Sequence, residues 1–153
     1  DMRSGATVPI RTGKLSTAII ASCAIPTIVS AVPYHGKQLV DGGTSDPVPD
    51  DITRSLGVDI TIAVNLDAGF FSDIGSKKNE RQNPFSTGIA TLDLLRYHLG
   101  LRTSAGSDII ITPEIQKTFI TEMHEGKTFI QKGVEATEPL IPKIKNLIET
   151  MPS

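Results

Sequence analysis

Asp59-Ile60-Thr61-Ile62-Ala63-Val64-Asn65-Leu66 is the stretch on which the fold turns. Its centre is β-branched and almost unbroken, the signature of a strand covered on both faces, as in the parallel sheets of α/β proteins. Asp108-Ile109-Ile110-Ile111-Thr112-Pro113 repeats the pattern, and Pro113 stops it. Between the two, Phe85, Ile89, Leu92, Leu95 and Leu99 recur at spacings of three and four. That period predicts an amphipathic helix from Phe85 to Leu101. Strand and helix in alternation mean a layered α/β domain with a largely parallel sheet.

Working outward, Asp50 to Leu56 reads as a short helix, with Asp50 or Asp51 to cap it and Gly57 just beyond its end. Residues 67–84 are polar and read as a long loop, with 76–81 expected to be disordered. The chain closes on a helical region from Lys127 to Met151, with Ile130, Val134, Ile141, Ile144 and Ile148 as its buried stripe. Pro139 and Pro142 predict a kink or a fresh helix start within it. Upstream, Ala6 to Ile10 is β-like, and Pro9 demotes it to an edge or a strand end. A helix from Lys14 to Ala24 is apolar nearly all round, which predicts burial, and Pro26 is expected to end it. Val29 to Val32 and Tyr34 to Val40 are extended pieces around a His35-Gly36 turn. The 153 residues suffice for a single domain, 1–153.

Composition excludes several classes of function. A formal net charge of -2 offers no electrostatic footprint for nucleic acid. A single cysteine, Cys23, rules out an intrachain disulfide, predicts a buried thiol and fits a reducing, cytoplasmic location. The longest apolar run, Ala18 to Val32, is broken by Ser22, Pro26, Thr27 and Ser30 and falls short of the ~20 residues of a membrane span. Without Gly-x-Gly-x-x-Gly or a phosphate-binding loop, no nucleotide cofactor is expected. Asp41, Asp46, Asp50 and Asp51 match no calcium-loop spacing, and caps and turns account for them, so no metal is expected. His35, His98 and His124 lack ligand spacing. Lys77-Lys78 are too few to anchor the chain to anionic lipid, so any contact with a membrane surface would be transient.

The chemistry points elsewhere, to Leu39-Val40-Asp41-Gly42-Gly43. A hydrophobic pair delivers an aspartate to a Gly-Gly step, and glycine populates positive φ at little steric cost. Asp-Gly is also a strong short hairpin signal, on which reading the aspartate is a solvated turn residue. Ligands of parallel α/β sheets sit outside the carboxyl ends of the strands. Asp41 and Asp67 both fall at or just after such ends, and position alone does not choose between them.

Taken in order, Ala21-Ser22-Cys23-Ala24-Ile25-Pro26, Leu39-Val40-Asp41-Gly42-Gly43, Pro47-Val48-Pro49 and Leu56-Gly57-Val58-Asp59-Ile60-Thr61-Ile62-Ala63-Val64 resemble the patatin-like phospholipase family. The strand at Asp108 to Pro113 and the helix around Lys132-Gly133-Val134-Glu135-Ala136 fit the same pattern. The resemblance implies a three-layer α/β/α sandwich, of which this chain is the C-terminal portion in its bacterial form. It also implies hydrolysis of lipid or other acyl esters by a serine-aspartate dyad, with Asp41 as base and Gly42 and Gly43 as its turn.

The departures are as specific as the matches. No serine has glycines two residues to either side, so the Gly-x-Ser-x-Gly elbow is absent, as is the glycine-rich oxyanion loop. Asp46 stands where the family commonly has asparagine and sets a like charge near Asp41. The chain is therefore expected to supply the base of a hydrolase and to be inactive alone. Exposed faces of a partial layered sheet predict self-association or pairing with a missing N-terminal portion. The alternative, from another class, is a non-catalytic α/β binding module that keeps the fold.

Overall fold

The computed structural model describes residues 1–69, 83–115 and 126–151. It divides into two compact units, Asp1–Pro47 and Val48–Ser153. Helices and strands alternate as an α/β chain, with one antiparallel and one parallel strand pair among the described residues.

In the first unit, helix α1 spans Leu15–Ser22. The expectation that it is buried is corrected: Leu15, Ile19 and Ile20 are 73%, 53% and 56% exposed. Only Ala21 and, just past the helix, Ala24 are buried, at the spacing of three that stacks side chains on one helix face. This narrow stripe of small residues faces inward, and Cys23 lies off it, exposed rather than buried. The helix also stops before Pro26 acts on it, with Cys23 as its C-cap. Pro26 instead belongs to a separate turn closed by the Ile28 N–H on the Ile25 carbonyl at 3.1 Å. The third residue of that turn, Thr27, sits at φ 74°, an uncommon conformation for a β-branched side chain.

Strands β1 (Val32–Tyr34) and β2 (Lys37–Leu39) pair antiparallel, Val32 opposite Leu39. The expected turn joins them. His35 at φ 44° and Gly36 at φ 76° are both left-handed, as a two-residue turn matching the right-handed strand twist requires. Ala6 to Ile10, expected to be β-like, forms no strand.

In the second unit, helix α2 (Asp50–Arg54) begins at Pro49 without a side-chain cap. Asp50 and Asp51 lie in its first turn, where carboxylates complement the helix dipole, rather than at the cap. Gly57, at φ 78°, follows its end as expected. Strands β3 (Ile62–Val64) and β4 (Ile109–Ile111) pair parallel, Ile62 with Ile109 and Val64 with Ile111. Helix α3 (Pro84–Thr103) connects them, started by a capping box in which Asn83 and Ser86 exchange side-chain-to-backbone bonds at 2.8 and 3.0 Å. Most of the polar stretch 67–84, including 76–81, lies outside the described residues.

Coverage of β3 on both faces is also corrected. Thr61, Ala63 and Asn65 are buried, whereas Ile62 and Val64 are 47% and 50% exposed. This is the period-two alternation of a sheet with one covered face. The C-terminal region divides at the two prolines into α4 (Gly126–Thr137), a 3-10 turn (Glu138–Leu140) and α5 (Ile141–Glu149), with a proline in the first turn of each of the last two. Its expected buried stripe is largely open: Ile130, Val134, Ile141 and Ile148 are exposed. Periodicity marks an apolar face but does not supply the surface that covers it.

A charge network ties the entry ends of β3 and β4 together. The Asp108 carboxylate accepts the Thr61 N–H at 2.8 Å and the Thr61 hydroxyl at 2.9 Å, with Arg54 3.8 Å away. Arg54 also donates to the Thr61 hydroxyl and the Gly106 carbonyl and faces Asp50. The two Thr61 bonds, joined by the Arg54 charge, hold the Asp108 carboxyl below its ordinary value of 3.8 against a smaller desolvation effect. A carboxyl lowered on folding contributes stability above its unfolded value that is lost as pH falls through the folded one. Acidification below pH 3.8 should therefore loosen β3–β4, and Asp108→Asn should flatten that part of the pH dependence, as read by amide exchange at Thr61 and Ile109.

Candidate active site

Asp41 lies two residues past β2, and four hydrogen bonds fix it. Its N–H donates to the Ala24 carbonyl at 3.0 Å. The smallness of Ala21 and Ala24, both buried, lets the end of α1 come close enough for that bond. Its carbonyl accepts the Thr44 N–H at 3.1 Å and the Thr44 hydroxyl at 2.7 Å. Its side-chain Oδ1 accepts the Gly43 N–H at 2.7 Å, which makes Asp41 the cap of a 3-10 turn, Gly42–Thr44.

Neither early reading of the Gly-Gly step matches this local geometry. The hairpin of this unit is at His35-Gly36, not at Asp41-Gly42. Gly42 and Gly43 are also not left-handed, the positive-φ glycines being Gly5, Gly13, Gly36 and Gly57 among the described residues. A β-carbon on Gly42 would meet no atom within 4 Å. The turn needs no positive φ because the carboxylate captures the N–H two residues on, as aspartate does readily.

The half-buried Asp41 borders a cleft of about 550 Å³ within this unit. Val8, Ile10, Ala18, Ala21, Pro26 and Leu39 make its apolar wall, and Asp41, Thr44, Ser45 and Thr7 contribute polar groups. The Gly43 N–H thus engages one oxygen, Oδ1, of a carboxylate whose residue lines the cleft. Thr7 and Ser45 are the cleft residues that sequence reading missed. Their only sequence signal is that Ser45 follows the Asp-Gly-Gly step closely.

Asp67, the other strand-end aspartate, is placed differently. It follows β3, its N–H donates to Asn65 Oδ1 at 3.1 Å, and its carboxylate pairs with Arg96 at 3.4 Å. That bond and pair give it a structural role in the second unit. His35 sits exposed at the hairpin turn, His98 is exposed on α3, and His124 and Lys77-Lys78 lie outside the described residues. Among the described residues no group of three or more His, Cys, Asp or Glu side chains could hold a metal ion, and no helix is long and apolar enough to cross a membrane.

The sequence pattern of the patatin-like phospholipase family matches residues 3–53, which include Asp41 and every cleft-lining residue except Asp1 and Met2. Proteins named "Uncharacterized NTE family protein" from Mycobacterium bovis and Mycobacterium tuberculosis are 35% identical to the chain over 83 residues. The aligned stretch is 54% of this chain and 22% of each relative, so the chain spans about a fifth of the length of these relatives. Pattern and relatives agree with an α/β chain whose Asp-Gly-Gly step borders a cleft: over residues 3–53 the chain is similar to the patatin-like phospholipase family.

Proposed function

We propose that this chain is part of a serine acyl hydrolase acting on lipid or other carboxylic esters, and that it contributes the base, Asp41. The observation that carries this reading is the carboxylate itself, one oxygen held by the Gly43 N–H, on a residue that lines a largely apolar cleft and lies inside the family-matched segment. A serine hydroxyl is a poor nucleophile until a positioned base takes its proton during attack. Asp41 Oδ2 takes that proton as the serine oxygen bonds to the acyl carbon. It returns the proton to the departing alcohol, then removes one from the water that attacks the acyl-enzyme and passes it to the serine oxygen as that bond breaks. Holding Oδ1 in the turn fixes the carboxylate before attack, so little reorganisation remains.

The nucleophile and the oxyanion donors come from sequence outside these residues, which hold no Gly-x-Ser-x-Gly. The open apolar residues of α1 and β3 support pairing with that remainder, which would complete the three layers. Full-length protein should hydrolyse a chromogenic acyl ester and be labelled on serine by a fluorophosphonate, whereas the 153-residue chain alone should do neither. Turnover by the chain alone that persists in Asp41→Ala would overturn the dyad.

A further inference from the structure

The cleft holds a second polar feature that proton transfer leaves unused. Thr7 Oγ1 and Ser45 Oγ lie 3.0 Å apart, a hydrogen bond spanning 38 residues of sequence, and both residues line the cleft beside Asp41. Ser45 is held by the turn that Asp41 caps, its N–H on the Gly42 carbonyl at 3.1 Å. Two hydroxyls sharing one hydrogen bond keep one O–H to donate and several lone pairs to accept.

An ester entering this cleft presents two unlike halves. The acyl chain suits Val8, Ile10, Ala18 and Leu39 on the wall. The pair is solvent-exposed, so the alcohol half would sit at the open edge of the cleft and exchange bonds to water for bonds to these two hydroxyls, a modest net gain. We propose that the Thr7–Ser45 hydroxyl pair is a polar subsite for the alcohol portion of the substrate, selecting esters whose alcohol carries a free hydroxyl, as a glycerol does. The substrate class rests on the hydrolase reading, but the test does not depend on turnover.

The test compares two short-chain ethers that cannot be hydrolysed, an alkylglycerol monoether and the methyl ether of the same alkyl chain, titrated calorimetrically into full-length protein. The glycerol ether should bind roughly 3- to 10-fold more tightly, the effect of about one net hydrogen bond. Thr7→Val combined with Ser45→Ala should abolish that preference and leave the Kd of the methyl ether unchanged. Thr7→Ser combined with Ser45→Thr, which keeps both hydroxyls, should preserve it. The subsite is overturned if wild type shows no preference, if the preference survives loss of both hydroxyls, or if methyl-ether binding falls equally. Failure of the hydrolase reading would show separately, as ether binding without cleavage of the matching esters.

Discussion

Asp41→Asn in the full-length protein should lower ester turnover by roughly 10²- to 10⁴-fold, the range lost when a positioned general base is removed. The loss should fall on kcat with KM nearly unchanged, because the base acts on the proton in flight and not on the bound ester. The variant discriminates well because asparagine keeps the carbonyl oxygen that accepts the Gly43 N–H at 2.7 Å. The bonds from Asp41 N–H to Ala24 and from Thr44 to the Asp41 carbonyl belong to the main chain and are untouched. The turn therefore survives while the proton acceptor does not. Asp41→Ala is a less clean probe, since it also removes a cap and should cost about 1 kcal/mol. The measurement is a pair, initial rates on a chromogenic ester and a thermal melt of each variant. A drop in rate with an unchanged melt assigns Asp41 to chemistry. Full activity in Asp41→Asn would remove it from the mechanism, and a parallel loss of folding would reassign it to the turn.

How far the sequence carried depended on whether the deciding forces were local. The His35-Gly36 turn was legible because a two-residue hairpin demands two left-handed residues, and the structure has both. Helix α3 and strands β3 and β4 followed from period and β-branching alone. The errors concern which face meets which neighbour. The apolar surround of α1 and the stripe on α4 and α5 promised burial, yet their large residues are open. Composition records that a face needs covering, and the covering surface is encoded elsewhere. At the site, Asp41 was legible as a residue but not as a geometry. Both readings of Gly42-Gly43 were built on glycine's φ freedom, while an acceptor on the aspartate made a 3-10 turn available without it. Thr7 was invisible for a related reason, since its bond to Ser45 spans 38 residues of sequence.

Asn65 is the polar residue that the strand pattern hid, and replacing it should give the largest loss of stability in the second unit. It sits in the near-continuous apolar run that defines β3, yet its side chain is only 1% exposed and is used for bonding. Oδ1 accepts the Asp67 N–H at 3.1 Å, and Nδ2 reaches the Ser104 hydroxyl at 3.5 Å. Its main-chain N–H extends the sheet onto the Ile111 carbonyl at 2.9 Å. Helix α3 comes so close that a β-carbon on Gly100 would lie 3.2 Å from the Asn65 amide. Asn65→Ala strips the Asp67 N–H of its acceptor and leaves a gap beneath α3, so it should cost about 2–3 kcal/mol. Asn65→Asp should be worse at neutral pH. The acceptor for Asp67 remains, but the Ser104 hydroxyl already gives its proton to the Gly100 carbonyl at 2.7 Å and cannot also satisfy a buried carboxylate. Burial raises the pKa of such a carboxyl, so stability falls as pH climbs above the unfolded value of about 3.9 and levels off above the folded one. The penalty of Asn65→Asp should thus ease on acidification, opposite in sign to the Asp108 effect. Amide exchange at Ile111 and Asp67 reads the opening free energy of this unit directly. Equal exchange in wild type, Asn65→Ala and Asn65→Asp would show that the amide bonds contribute nothing, and that the parallel pair is held by its apolar face alone.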